Sequence, residues 1–212
     1  MRIGVLASGS GSNLQAILDG CASRSIPAQP AVVICNIAGA KALQRAEVAG
    51  VPAVLLPHKG AASREAYDAQ LAETLHQHRV DLVCLAGFMR LLTPGFVRGF
   101  QNQILNIHPS LLPSFPGLHA VRQALSAGVR VSGCTVHVVD EGTDTGPIVV
   151  QAAVPVLDGD TEESLGARIL AQEHRAYPRA ITLMAEGRVK LSKPLRVDAP
   201  NDGARSLASP EL

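Results

Sequence analysis

An α/β fold built on a doubly wound, largely parallel sheet is what the sequence predicts, and two observations carry it. Short runs rich in Val, Ile and Leu recur through the first half. They lack the polar alternation of a half-exposed strand, as strands buried on both faces do. Between them lie segments with helical spacing of apolar residues, so strand and helix alternate as in βαβ units.

The first strand reads RIGVLAS and breaks into SGSGSN before a helix over residues 13–22. PAVVICN is the second strand. The helix after it covers residues 40–49, with Gly50 as its C-terminal stop and Pro52 beyond. PAVLLP is the third strand, followed by a helix over residues 63–78 that has Ser63 as N-cap and Ala66, Leu71 and Leu75 on its apolar face. DLVCLAG is the fourth strand. The second half changes character. QILNIH is a strand that runs into HPSLLPSFPGLH, a loop with three prolines, and VRVSGCTVHVVDEG and GPIVVQAAVPV are extended runs joined by EGTDTG. Residues 161–186 form a long helical pattern, with Thr161 and Ser164 as half of a capping box. No repeat or long linker divides the chain, so a single domain over residues 1–195 is expected, with a flexible tail at 196–212 that has few large apolar residues.

Composition excludes several classes. The 212 residues are 47% hydrophobic, enough for a large core, and the formal net charge of +1 argues against a general nucleic-acid or membrane-surface binder. Aromatic residues make up 3% with no Trp, which leaves no stacking platform for single strands. No apolar run approaches the ~18 residues of a membrane span, and the N-terminal run is too short for a signal peptide, so a cytoplasmic protein is expected. Cys21, Cys35, Cys84 and Cys134 are scattered and form no C-x-x-C pair; reduced thiols, and no metal site, are expected.

Three stretches carry chemistry. SGSGSN lets backbone amides approach an anion at the positive end of the following helix. It lacks the Lys of a P-loop and the third Gly of a dinucleotide fingerprint, and its plain alternative is a sharp corner. Asn106 and His108 stand two apart at a strand end, so both side chains point to one face at the carboxyl edge of the sheet. Asn offers donors to a carbonyl oxygen, and His a proton exchangeable near neutrality. Asp140, Glu141 and Asp144 crowd one loop; if that loop folds back on His108, a carboxylate there orients the imidazole.

Taken together, SGSGSNLQAIL, SREAYDAQLA, LAGFMRLLTPGFV, NIHPSLLPSFPGLHA and GCTVHVVDEGTDTGPIVVQ resemble the glycinamide ribonucleotide formyltransferases of the folate-dependent formyltransferase family, in order and spacing, from residue 1 to about residue 190. The resemblance implies a Rossmann-like parallel sheet with an antiparallel strand addition. It also implies transfer of a formyl group from 10-formyltetrahydrofolate, as co-substrate, to the amino group of glycinamide ribonucleotide in purine synthesis. Gly11, Ser12 and Asn13 match the loop that holds the 5′-phosphate, and Glu173 matches a residue that contacts the ribose or glycinamide. Arg64 with Met89, Arg90, Leu91 and Leu92 match the folate pocket, to which Asn106 also contributes. Asp140, Glu141 and Asp144 belong to the loop that reads the pteridine. Asn106, His108 and Asp144 match the catalytic trio, with His119, Thr135 and His137 in support. The implied division is a nucleotide-binding half over residues 1–100 and a folate and catalytic half over 101–195. Small-molecule substrates, no nucleic acid, no membrane, and a monomer or homodimer complete the expectation.

The chemistry requires an amine to attack a formyl carbon. Asn106 and protonated His108 are the expected donors to the developing oxyanion, and Asp144 is expected to mediate the proton transfer. No Ser or Cys is placed as a nucleophile, so direct transfer is favoured. The alternative is a 10-formyltetrahydrofolate hydrolase (deformylase), which shares the trio but carries a further N-terminal domain. Methionyl-tRNA formyltransferase shares the core but adds a C-terminal RNA-binding domain.

Overall fold

The computed structural model describes residues 1–191. The expected tail at 196–212 and the boundary at 195 lie outside the described residues. The chain runs β1 (Arg2–Ala7), α1 (Ser12–Ala22), β2 (Gln29–Cys35), α2 (Lys41–Val48), β3 (Ala53–Leu55), α3 (Arg64–Gln77), β4 (Leu82–Leu85), α4 (Pro94–Gly99), β5 (Ile104–His108), α5 (Ala120–Ser126), β6 (Val131–Val138), β7 (Ile148–Pro155) and α6 (Glu162–Ala185).

The sheet has seven strands in the order β3-β2-β1-β4-β5-β6-β7. The first five are parallel, while β6 pairs antiparallel with β5 and β7 antiparallel with β6. This is the mostly parallel sheet with an antiparallel addition. Strand order reverses between β1 and β4, so the loops leaving those two strands frame a crevice at the carboxyl edge, where open α/β sheets take their ligands.

Alternation along β1 shows why its run is apolar throughout. Ile3, Val5 and Ala7 pack into the layer that contains α1 and α6, and Leu6 packs on the other face with Tyr67 and Leu71 of α3. The two layers follow from βαβ crossovers that return on opposite sides. On α6, Leu165, Ile169, Ala176, Tyr177, Ala180 and Ile181 are buried at helical spacing. The Tyr177 hydroxyl lies 3.0 Å from the carbonyl oxygens of both Leu85 and Leu105, bracing α6 to two neighbouring strands.

The expected helix ends hold. Ser63 accepts the Ala66 N–H and caps α3, and Gly50 follows α2 with a φ of 68°. At α6 the capping box is complete rather than half-formed. The Thr161 side chain accepts the Ser164 N–H, and Ser164 Oγ accepts the Thr161 N–H, because a serine at that position reaches back as a glutamate does. Helix α4 was not foreseen from its sequence. Pro94 opens it and Thr93 caps it. Cys35, Cys84 and Cys134 are buried and Cys21 partly so; all four are free thiols. No helix among the described residues is long and apolar enough to cross a membrane.

Candidate active site

Asn106 and His108 leave the carboxyl end of β5 on one face, as their spacing requires. The antiparallel neighbour supplies the next groups, because Asn106 pairs with His137 and His108 with Thr135. Asp144, in the β6–β7 loop, has a φ of 55°, a left-handed conformation that Asp tolerates better than most residues. That turn carries its carboxylate back onto both strands.

The carboxylate gathers four groups. Oδ2 accepts the Gly117 N–H at 2.8 Å and lies 3.3 Å from His108 Nδ1. Oδ1 lies 3.5 Å from both Asn106 Nδ2 and His137 Nε2. The hydrogen bond from His137, the Gly117 amide and the charge of His108 hold the Asp144 carboxyl down at about 2, against the opposing effect of burial. Asp144 is therefore an anion throughout the neutral range. His108 is buried between two acceptors, Asp144 at Nδ1 and the Phe115 carbonyl at Nε2, 2.8 Å away. A ring carrying both protons satisfies both acceptors, and a neutral ring satisfies one.

The loop beyond β5 is shaped to make these contacts. Phe115, Gly117 and His119 all have positive φ, so the turn coils back to aim the Phe115 carbonyl at His108 and the Gly117 N–H at Asp144. Thr135 holds the base of this loop from below. Its hydroxyl donates to the Ser110 carbonyl, accepts the Leu112 N–H and receives Gln151 Nε2. His137 joins the cluster directly. His119 does not; it is exposed at the N-terminus of α5 and makes no hydrogen bond to the four among the described residues.

The opening loop closes on α1 with Gly11 at φ 69°, and no side chain caps that helix. A Cβ on Gly11 would lie 3.0 Å from the Ala42 Cα, so the backbones approach here as the glycine run suggested. The first-turn amides receive no side-chain cap at the positive end of the helix. The Asn13 side-chain nitrogen donates to Glu173 Oε2 at 2.7 Å. Both residues are buried, and Asn13 Oδ1 has no partner among the described residues. Burial raises the Glu173 carboxyl above its ordinary value. Arg45, which sequence reasoning missed, donates Nε to the Ser10 carbonyl and Nη1 to Gln15 Oε1, bringing a cation to the same loop.

The segment after β4 runs along the crevice from Gly87 to Thr93. Met89 and Leu91 are exposed, and Leu92 packs partly against the core. Arg64 Nη2 donates to the Leu91 carbonyl, and the Arg90 guanidinium lies 4.7 Å above the Tyr67 ring. In the β6–β7 loop the acidic residues separate. Asp140 accepts the Gly142 N–H and the Thr145 hydroxyl within the loop, and Glu141 pairs with Arg98 on the surface. Of the three carboxylates, Asp144 is the one that turns inward.

Comparison with known proteins follows the same outline. A family model described as formyl transferase matches residues 1–181. Over 203 residues the chain is 51% identical to the trifunctional purine biosynthetic protein adenosine-3 of Drosophila pseudoobscura pseudoobscura, covering 95% of this chain and spanning 15% of that protein's length. It is 47% identical over 191 residues to phosphoribosylglycinamide formyltransferase of Escherichia coli (strain K12), with 90% of each chain covered. A crystal structure of glycinamide ribonucleotide transformylase 1 from Symbiobacterium toebii superposes with a TM-score of 0.91 at 59% identity, covering 93% of both chains.

Proposed function

The chain belongs to the formyl transferase family, and from that membership we propose that it moves the formyl group of 10-formyltetrahydrofolate to the amino group of glycinamide ribonucleotide, a step of purine biosynthesis. The observation that carries this reading is the convergence of Asn106, His108 and His137 on the Asp144 carboxylate at the carboxyl edge of the sheet.

The amine nitrogen bonds to the formyl carbon, and the bond from that carbon to the folate nitrogen breaks. One proton leaves the attacking nitrogen and one joins the departing nitrogen. Asn106, whose amide contacts are long at 3.2 and 3.5 Å, turns a donor to the developing oxyanion. His108 adds a ring N–H donor beside it, and a ring already bonded at Nε2 to Phe115 reaches the oxyanion by exchanging that partner. Asp144 orients His108 from its Nδ1 side and takes the proton in transit. With its carboxyl held near 2, it passes that proton on rather than storing it.

The first-turn amides of Ser12 and Asn13, with Gly11, hold the 5′-phosphate, and Glu173 meets the ribose or glycinamide part. Arg64, the 89–92 segment and the 140–144 loop line the folate pocket. The two halves act as one domain in this reading, since Asn13 and Glu173 join them. A cytoplasmic enzyme working on two small molecules, as monomer or homodimer, fits it.

The test measures release of tetrahydrofolate from 10-formyltetrahydrofolate with and without glycinamide ribonucleotide. Turnover that requires the amine supports transfer. Equal turnover without it indicates hydrolysis and overturns the proposal.

A further inference from the structure

One buried carboxylate is used by none of the chemistry above. Asp68 lies on α3, and its Oδ2 accepts the Thr93 N–H at 2.6 Å. Thr93 stands where the 89–92 segment ends and α4 begins, and its own hydroxyl caps α4 by accepting the Phe96 N–H.

Asp68 does not act alone. Arg64, Tyr67 and Asp68 share one side of α3 at helical spacing. They meet the segment at successive points. Arg64 donates to the Leu91 carbonyl, the Tyr67 ring lies under the Arg90 guanidinium, and Asp68 holds the Thr93 amide. The other end of the segment is tied to the exit of β1, where Ser8 N–H donates to the Gly87 carbonyl and Ser8 Oγ accepts the Met89 N–H. The backbone amides of Arg90, Leu91 and Leu92, between these anchors, have no partner among the described residues. A short length of irregular backbone is thus stretched between two fixed points with three of its N–H groups free among the described residues.

Resting on the folate pocket proposed above, we propose that Asp68 is a positioning residue for the folate co-substrate. By fixing the Thr93 amide it sets the register in which the 89–92 backbone presents its free N–H donors to the flat heterocycle. A charged acceptor suits this task. A hydrogen bond to an ionised group is shorter and stronger than a neutral one, and Thr93 N–H is held at 2.6 Å. The carboxylate does not touch the ligand; it acts through the chain it anchors.

The experiment compares steady-state constants for both substrates in the full-length wild type, Asp68→Ala, Asp68→Asn and Leu92→Asp. Asp68→Ala is expected to raise KM for 10-formyltetrahydrofolate about tenfold, the loss of one charge-assisted hydrogen bond. KM for glycinamide ribonucleotide stays within about twofold, since that site is held by α1 and α6. Asp68→Asn keeps an acceptor and recovers most of the loss; should Asp68→Ala not fold, a smaller rise in the same constant alone in Asp68→Asn carries the test. Leu92→Asp separates the two readings. If it leaves the folate KM unchanged, the segment is not the folate site and the pocket assignment falls. If it raises that KM while Asp68→Ala does not, the positioning role is overturned. It is overturned equally if Asp68→Ala depresses kcat and raises both KM values together, which is what a general scaffold residue does.

Discussion

Asn13 and Glu173 are separated by 160 residues of chain and joined by a buried 2.7 Å hydrogen bond from Nδ2 to Oε2. The bond fixes the first turn of α1 against the middle of α6, at the mouth of the proposed ribonucleotide site. Asn13→Ala leaves a buried carboxylate without its donor, which costs about 1–3 kcal/mol. Weaker glycinamide ribonucleotide binding by ten- to a hundredfold, with folate binding unchanged, is expected on calorimetric titration with each ligand. Equal weakening of both would mark the loop as a structural corner.

Glu173→Gln should trade affinity for stability. Burial raises this carboxyl above 4.5, so its neutral form is the better folded one. The stabilisation is full below 4.5 and is lost as pH rises through the raised value. At pH 7 the glutamine variant, free of that buried charge, is expected to be more stable by about 1 kcal/mol in thermal melts, with the advantage fading below pH 4.5. Its affinity for the ribonucleotide should fall.

His108→Ala and Asp144→Asn are expected to lose about 10²–10⁴ in kcat while circular dichroism stays native. Near-normal turnover in both purified variants would remove them from the chemistry.

Asp144 also links stability to acid. Its carboxyl is held near 2 against an ordinary 3.8, so its contribution is complete above 3.8 and lost as pH falls through about 2. Denaturant melts of wild type and Asp144→Asn should differ most above pH 4 and converge toward pH 2. A constant difference across that range would mean that the charge is not what matters.

Gly11→Val puts a β-branched side chain at φ 69° and a Cβ 3.0 Å from the Ala42 Cα. A loss of about 1–3 kcal/mol in chemical denaturation is expected, together with loss of ribonucleotide binding. A fully stable variant that still binds would contradict the close approach of the two backbones.

The fold was legible where local pattern and global packing agree. The apolar runs became β1 to β5, and Ser63 and Gly50 marked helix ends because capping is local chemistry. Helix α4 was hidden because Pro94, Gly95 and Gly99 read as turn residues, although Thr93-Pro94 is itself a start signal. In the site, Asn106 and His108 were legible through strand periodicity. His137 entered the cluster through antiparallel register, a pairing that no single segment encodes. Phe115 and Gly117 contribute backbone atoms from an irregular turn, and backbone atoms leave no trace in residue type. Arg45 was invisible for another reason. A surface arginine on a helix acquires a role only when α2 is packed beside the opening loop.

Helix α6 comes last among the described elements, yet it shields α1 and supplies Glu173. During synthesis, α1 and the sheet face beneath it emerge long before their cover does. At about 5–20 residues per second, that interval is on the order of ten seconds. Leu14, Ile17 and Leu18 spend it without α6 and are open to contact with other chains, so the moment most exposed to aggregation is set by the position of one helix in the reading frame.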